Sequence, residues 1–195
     1  MRWVSFVSMG FAVLLSAGAM AQAWSEHENR QEGWLINFPA EPKVENRSYT
    51  TASGATAPAK VYAVEIPSGN YSFTFVEFAG NPQDQTQTIA HAVNTLRQKG
   101  RTRYDDAHDL DGVTGHQISV LLPDGRLMLG SVYFYNQRLY ITEASVPPGA
   151  APPQQFQQSI TFLHPDGRRV NIRREAEEAA KQKGESAKQG GGEYK

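Results

Sequence analysis

Lys60-Val61-Tyr62-Ala63-Val64-Glu65-Ile66-Pro67-Ser68-Gly69-Asn70-Tyr71-Ser72-Phe73-Thr74-Phe75-Val76-Glu77-Phe78 is the stretch on which the fold turns. Two runs rich in β-branched and aromatic residues flank Pro-Ser-Gly-Asn, a group of strong turn formers. In the second run Tyr71, Phe73 and Phe75 point one way, and Ser72, Thr74, Val76 and Phe78 the other. That two-residue period predicts a β-hairpin whose second strand presents aromatic rings to one side.

Working outward, Trp34-Leu35-Ile36-Asn37-Phe38 is a short apolar run stopped by Pro39 and Pro42, and reads as an earlier strand. Residues 47–51 suit a short strand, and 53–58, made of small residues with a Gly and a Pro, suit a loop. After Gly80-Asn81-Pro82 the period changes: Ile89, Ala92, Val93 and Leu96 recur at helical spacing, which predicts an amphipathic helix over 84–99 with Gly100 as its C-cap. Strands are expected over 103–108, 113–122, 126–135 and 138–146, with Pro123-Asp124-Gly125 and Asn136-Gln137 as turns. The last three make an antiparallel meander. A Pro/Gly/Ala loop over 147–153 leads to a short helix over 154–160 that buries Phe156 and Ile160, and Thr161-Phe162-Leu163 closes the domain. The fold class is α+β: an antiparallel sheet with one main amphipathic helix and a short C-terminal helix packed on it.

Residues 1–23 read as a secretory signal peptide. Arg2 gives the positive start, 4–15 the apolar stretch, and Ala19-Met20-Ala21 and Ala21-Gln22-Ala23 two small-x-small cleavage sites, of which the second is preferred. The apolar run is shorter than the roughly 20 residues of a spanning helix, so no transmembrane segment is expected after cleavage. The polar stretch 24–32 reads as a flexible leader, 33–163 as one domain, and 164–195, charged and ending in Gly190-Gly191-Gly192, as a disordered tail. The net charge of −1 supplies no field to draw nucleic acid. The absence of cysteine excludes disulfides, thiolate metal sites, a cysteine nucleophile and a lipoprotein anchor.

Three matches in order along the chain carry a family resemblance. They are Ile36-Asn37-Phe38-Pro39-Ala40-Glu41-Pro42, the strand Tyr71–Phe78 quoted above, and Arg138-Leu139-Tyr140-Ile141 followed by Phe156-Gln157-Gln158-Ser159-Ile160. Together they resemble exported, largely uncharacterised bacterial proteins of the PsbP-like α/β/α sandwich type. The resemblance implies that fold and an accessory, non-catalytic role. It brings no catalytic motif, and so no functional residues to transfer.

Several groups are candidates for chemistry. Asp106, His108, Asp111 and His116 offer carboxylate and imidazole ligands to a divalent metal, although their spacing matches neither an EF-hand nor a His-Glu-x-x-His site. On a strand Asp106 and His108 share a face, and Asp105 and Asp109 face away. The strand residues Tyr133, Tyr135 and Tyr140, with Arg126 and Arg138, form a candidate ligand-binding face. Arg168, Arg169, Arg173 and Arg174 are candidates for a partner-binding tail, with glutamates close behind. No Gly-x-Ser-x-Gly elbow, Walker loop or dinucleotide fingerprint is present, and no cofactor is expected. The sequence therefore reads as a non-enzymatic periplasmic binding or accessory protein whose partner is an envelope protein or a small ligand. A metal-dependent protein using the 105–116 loop is the alternative, and a small hydrolase a more distant one.

Overall fold

The computed structural model describes residues 24–78 and 80–190, with side chains described through residue 183. The segment 1–23, read above as a signal peptide, lies outside the described residues. The element order is β1 (Ser25–Asn29), β2 (Trp34–Phe38), β3 (Lys43–Thr50), β4 (Thr56–Ile66), β5 (Gly69–Glu77), α1 (Gln85–Arg97), β6 (Arg101–Leu110), β7 (Val113–Leu121), β8 (Leu127–Tyr135), β9 (Arg138–Val146), α2 (Gln154–Gln157), β10 (Thr161–Phe162) and α3 (Ile172–Gly190). The class is α+β, with two antiparallel sheets rather than one: a seven-stranded sheet in the order β3-β4-β5-β9-β8-β7-β6 and a three-stranded sheet in the order β1-β2-β10.

The quoted hairpin forms as its pattern predicts. Ile66 pairs with Gly69 across Pro67-Ser68, and β5 pairs β4 on one side and β9 on the other. Its two faces feed two cores. Tyr71, Phe73 and Phe75 join Trp34, Ile36, Phe38, Phe156 and Phe162 between the two sheets. Val76 and Phe78 join Ile89, Val93 and Leu96 of α1 on the other side. The large sheet is therefore the middle of three layers, with α1 above it and the small sheet and α2 below. Edge-to-face rings knit the lower layer: Trp34 lies 4.8 Å from Tyr62 and 4.9 Å from Phe73, and Tyr140 lies 5.1 Å from Phe162.

α1 starts on an Asp84 cap whose carboxylate accepts the Gln87 N–H at 2.8 Å. It ends at Gln98, so Gly100 is not the C-cap. Gly100 answers a different need: a Cβ there would stand 2.3 Å from the Leu121 carbonyl oxygen, where the helix exit crosses the end of β7. The turn Asn136-Gln137, with φ of 49° and 58°, has both residues left-handed, as a tight β8–β9 hairpin requires. Along β6 the register with β7 shifts between Thr102 and Tyr104.

Three expectations are corrected. The stretch 53–58 is not all loop, because β4 begins at Thr56. Pro58 is tolerated there since β5 pairs β4 only from Ala59 onward, so no ladder bond is lost on that side. The supposed flexible leader 24–32 holds β1, paired along its length with β2, and Trp24 packs edge-to-face on Tyr71 at 5.6 Å. A polar strand lacks hydrophobic alternation, and this one is held by its backbone ladder. The supposed disordered tail begins with an ordered return: Leu163 bridges Arg169, Val170 is buried, and α3 follows. Ile172 seats α3 on Gly112 of the β6–β7 turn, and Asn171 caps it by accepting the Arg174 N–H at 2.9 Å.

Glu32, also in the supposed leader, is a buried acid. Its carboxylate accepts from the Trp34 indole (2.8 Å), the Tyr62 hydroxyl (3.0 Å) and the Lys60 ammonium, and its carbonyl accepts from the Tyr140 hydroxyl (3.1 Å). These bonds tie the β1–β2 turn to the large sheet. Desolvation, followed by the Glu32 charge, pushes the Tyr62 hydroxyl well above the usual phenol range. Glu32→Ala leaves three donors without their acceptor and is expected to cost about 2–4 kcal/mol. Urea unfolding checks this. The midpoint should fall with an unchanged slope, and an unmoved midpoint would mean that the two sheets hold together without the carboxylate.

Candidate functional site

Each sheet-covering layer reaches only part of the large sheet. α1 lies over β7, β8 and β9. On the opposite face the small sheet and α2 stop short of β6 and β7. A groove of about 360 Å³ lies there. Tyr104 of β6, half exposed, forms one rim; Gln117 and Ser119 of β7 with Leu129 of β8 form the floor; Gln154 and Gln158 of the α2 segment form the other rim. The registers Tyr104↔Ser119 and Ser119↔Leu129 put these residues side by side on one face. The α2 rim is fixed because Gln157, itself buried, donates to the Gly130 carbonyl at 2.8 Å and Phe156 is sunk in the core. Every residue lining the groove is uncharged. Amides and hydroxyls each donate and accept, and the leucine floor adds apolar surface, so the arrangement suits a neutral, hydrogen-bonding ligand.

A second cleft, of about 240 Å³, lies between α1 and β7. His116 stands at its edge with Nε2 on Asp105, and Arg97 grips the same carboxylate through both Nε and Nη2. The Arg97 hydrogen bonds hold the Asp105 carboxyl below the usual range, against the effect of burial, and the His116 bond adds to this. Arg97 and His116 thus share the one Asp105 carboxylate. The cluster therefore fastens the edge strand β6 to α1.

The residues singled out from the sequence fall in several places. Tyr133 and Tyr140 are in the core between the sheets, each 1% exposed, because the small sheet covers the face that alternation assigned to them. Tyr135 packs on Phe162, Arg138 pairs with Glu77 at 2.8 Å and lies over the Phe75 ring, and Arg126 donates to the Ser145 carbonyl at 2.8 Å. These five do not make one open face.

The proposed metal ligands also separate. His108 Nδ1 meets the Tyr133 hydroxyl at 2.9 Å, across Gly115, where a Cβ would lie 2.2 Å from the tyrosine ring. His116 lies on the opposite face of the sheet with Asp105. Asp106 accepts the adjacent Ala107 N–H, and Asp111 occupies the β6–β7 turn at φ 55°. Among the described residues no group of three or more His, Cys, Asp and Glu is placed to hold a metal ion.

Three of the four tail arginines have carboxylate partners. Arg168 bonds Asp166 (2.7 Å), Arg173 bonds Asp109 (2.5 Å) and Arg174 bonds Glu178 (3.4 Å), while Arg169 pairs through its backbone with Leu163. Sequence reasoning missed Tyr104, Gln117, Ser119, Gln154 and Gln158. The one available signal was that Tyr104 shares its strand face with Asp106 and His108.

No family model matches the chain, and no curated protein matches it. Among solved structures it is similar to cyanobacterial PsbP from Synechocystis sp. PCC 6803, at 18% identity over 66% of this chain and 83% of that one, with a TM-score of 0.42. It is also similar to a protein of unknown function from Pseudomonas aeruginosa, at 9% identity over 64% of this chain and 83% of that one, with a TM-score of 0.34.

The Asp105 cluster gives a pH signature. Its folded pKa is depressed, so its stabilisation is present above the unfolded value near 4 and is lost as pH falls through the folded value. Asp105→Asn is expected to destabilise the fold by about 1–2 kcal/mol at pH 7, a figure reduced for the exposure of Arg97. The gap from the parent protein should close below about pH 4. Urea titrations at pH 7 and pH 3 check this, and a gap that is the same at both would remove Asp105 ionisation as its source.

Proposed function

We propose that this chain is a non-enzymatic binding protein of the bacterial periplasm that takes a neutral, hydrogen-bonding ligand in the groove between Tyr104 and α2. The observation that carries the reading is the groove's lining: amides, hydroxyls and leucine, without an imidazole, carboxylate, amine or guanidinium among them. Such a surface binds uncharged polar molecules. It supplies no general base to activate the Ser119 hydroxyl and no cation to steady a developing anion. The accessory role implied by the family resemblance agrees with this. Export is supported by the charge, apolar stretch and cleavage pattern of residues 1–23. Among the described residues no helix is long and apolar enough to cross a membrane.

Two measurements test the reading. Ligand-observed NMR with a library of uncharged polar molecules, amino acids, dicarboxylates and phosphates should return hits among the uncharged compounds only. Ser119→Arg, which sends a long cation into the groove from a half-buried floor position, should abolish them. Hits confined to charged compounds, or retained in Ser119→Arg, would overturn the assignment. For export, mass spectrometry of the protein recovered from the periplasmic fraction should find Trp24 as its first residue, since cleavage after Ala23 leaves intact the indole that packs on Tyr71. A chain recovered in the cytoplasm with Met1 intact would remove the periplasm from the proposal.

A further inference from the structure

We infer that the ligand of this groove is a neutral oligosaccharide, with the Tyr104 ring as its stacking platform; the inference rests on the binding role proposed above. Three properties of the groove converge on that class. The first is that recognition there must come from side chains. The floor is the face of a sheet whose backbone N–H and C=O groups lie in the sheet plane, spent on the β6–β7 and β7–β8 ladders. A peptide lying across this face would bring its own row of backbone donors and acceptors and find no matching row, because the unpaired backbone of the edge strand β6 points outward in the sheet plane and not into the floor. A sugar brings hydroxyls, each of which donates and accepts, as do the Ser119 hydroxyl and the Gln154 and Gln158 amides. A carboxamide offers a donor and an acceptor side by side, which matches two vicinal hydroxyls.

The second property is the combination of polar rim and apolar floor. A pyranose ring has polar edges and C–H faces. Tyr104, 50% exposed among the polar residues of the first half of β6, offers an aromatic face of the kind that packs on such C–H surfaces, while Leu127 and Leu129 line the bottom. A tyrosine at that position gains nothing from the core, because its ring stands at the rim. The third is charge. No ionised side chain lines the groove, so acidic and basic ligands would lose hydration without a counter-charge. At about 360 Å³ the space is near the small end of ligand sites and suits one or two sugar rings of a longer chain.

The experiment uses the full chain without residues 1–23, isotopically labelled, titrated with chitotetraose, with maltotetraose, and with an acetylated, amidated Ser-Gln-Ala-Ser tetrapeptide as an uncharged peptide control. Calorimetry runs alongside. Binding of at least one sugar is expected with a Kd of about 0.1–1 mM, in the range of small neutral ligands. Amide shifts should be confined to 104, 117–119, 127–129 and 154–158. Tyr104→Ala is expected to weaken binding roughly tenfold, and Tyr104→Phe, which keeps the ring, by no more than about threefold. Because Tyr104 is at the surface, both variants should melt with the parent protein, and the melting curve is recorded for each. Binding of the capped peptide in the groove with no sugar bound overturns the saccharide class while leaving the groove a binding site. No shift at the groove with any of the three probes overturns both readings. Sugar binding that maps elsewhere, or that survives Tyr104→Ala unchanged, overturns the role of the tyrosine and with it the inference.

Discussion

The Glu32 carboxylate is the constraint around which the two sheets are arranged. It sits at the turn between β1 and β2, inside the protein, where a charge is tolerated only if its oxygens are engaged. An indole from its own strand segment, a phenol from β4 and an ammonium from β4 engage them, and the same residue's carbonyl takes a second phenol from β9. Gly33, next to it, adopts φ 76° with the Leu163 carbonyl, the Arg138 guanidinium and the Tyr140 hydroxyl all close by. The turn is therefore pinned to three separate parts of the chain. Where it is pinned decides which part of the large sheet the small sheet shields.

That placement leaves an offset. On one face α1 lies over β7, β8 and β9. On the other, the small sheet and α2 lie over β4, β5, β9 and part of β8. The two covers overlap at the sheet's centre, and each face keeps one bare region. On the α1 side it is a depression beyond the C-terminal end of the helix, among Ala63, Glu65, Ser72 and the Lys99–Glu143 ion pair. On the other side it is the uncharged groove at Tyr104, toward the β6 edge. The first follows from strands that run on past a thirteen-residue helix, the second from a sheet wider than the layer laid on it.

Much of this was legible in the sequence. The alternation over 60–78 gives both the hairpin and the division of its side chains between two faces, which the fold turns into two cores. The stripe of Ile89, Ala92, Val93 and Leu96 gave α1, and the turns at 123–125 and 136–137 gave the meander. What alternation cannot give is which side of a strand will be covered. Tyr133 and Tyr140 are paired across β8 and β9 and share a face, and that face is closed by strands distant in sequence. β1 was invisible because Ser25-Glu26-His27-Glu28-Asn29 carries no hydrophobic signal and is held by backbone pairing. Glu32 looked like one more polar leader residue, since its three donors come together only in the folded chain. The groove escaped for a related reason. Its rims, Tyr104 and the glutamines of α2, are some fifty positions apart, and each segment alone reads as ordinary surface.

The shift in register between Thr102 and Tyr104 has a consequence for how copies of this protein meet one another. An open sheet ends in two strands whose outer backbone groups are unpaired, and such margins invite further strands and, with them, polymerisation. Here one margin, β3, carries Lys43, Glu45 and Arg47. The other, β6, carries Arg101, Arg103, Asp105, Asp106 and Asp109, with the irregular step between Thr102 and Tyr104 interrupting its straight run of partners. An incoming strand would meet an uneven ladder and a row of mixed charges. The sheet is thus defended against growth at the very edge where its face is left bare.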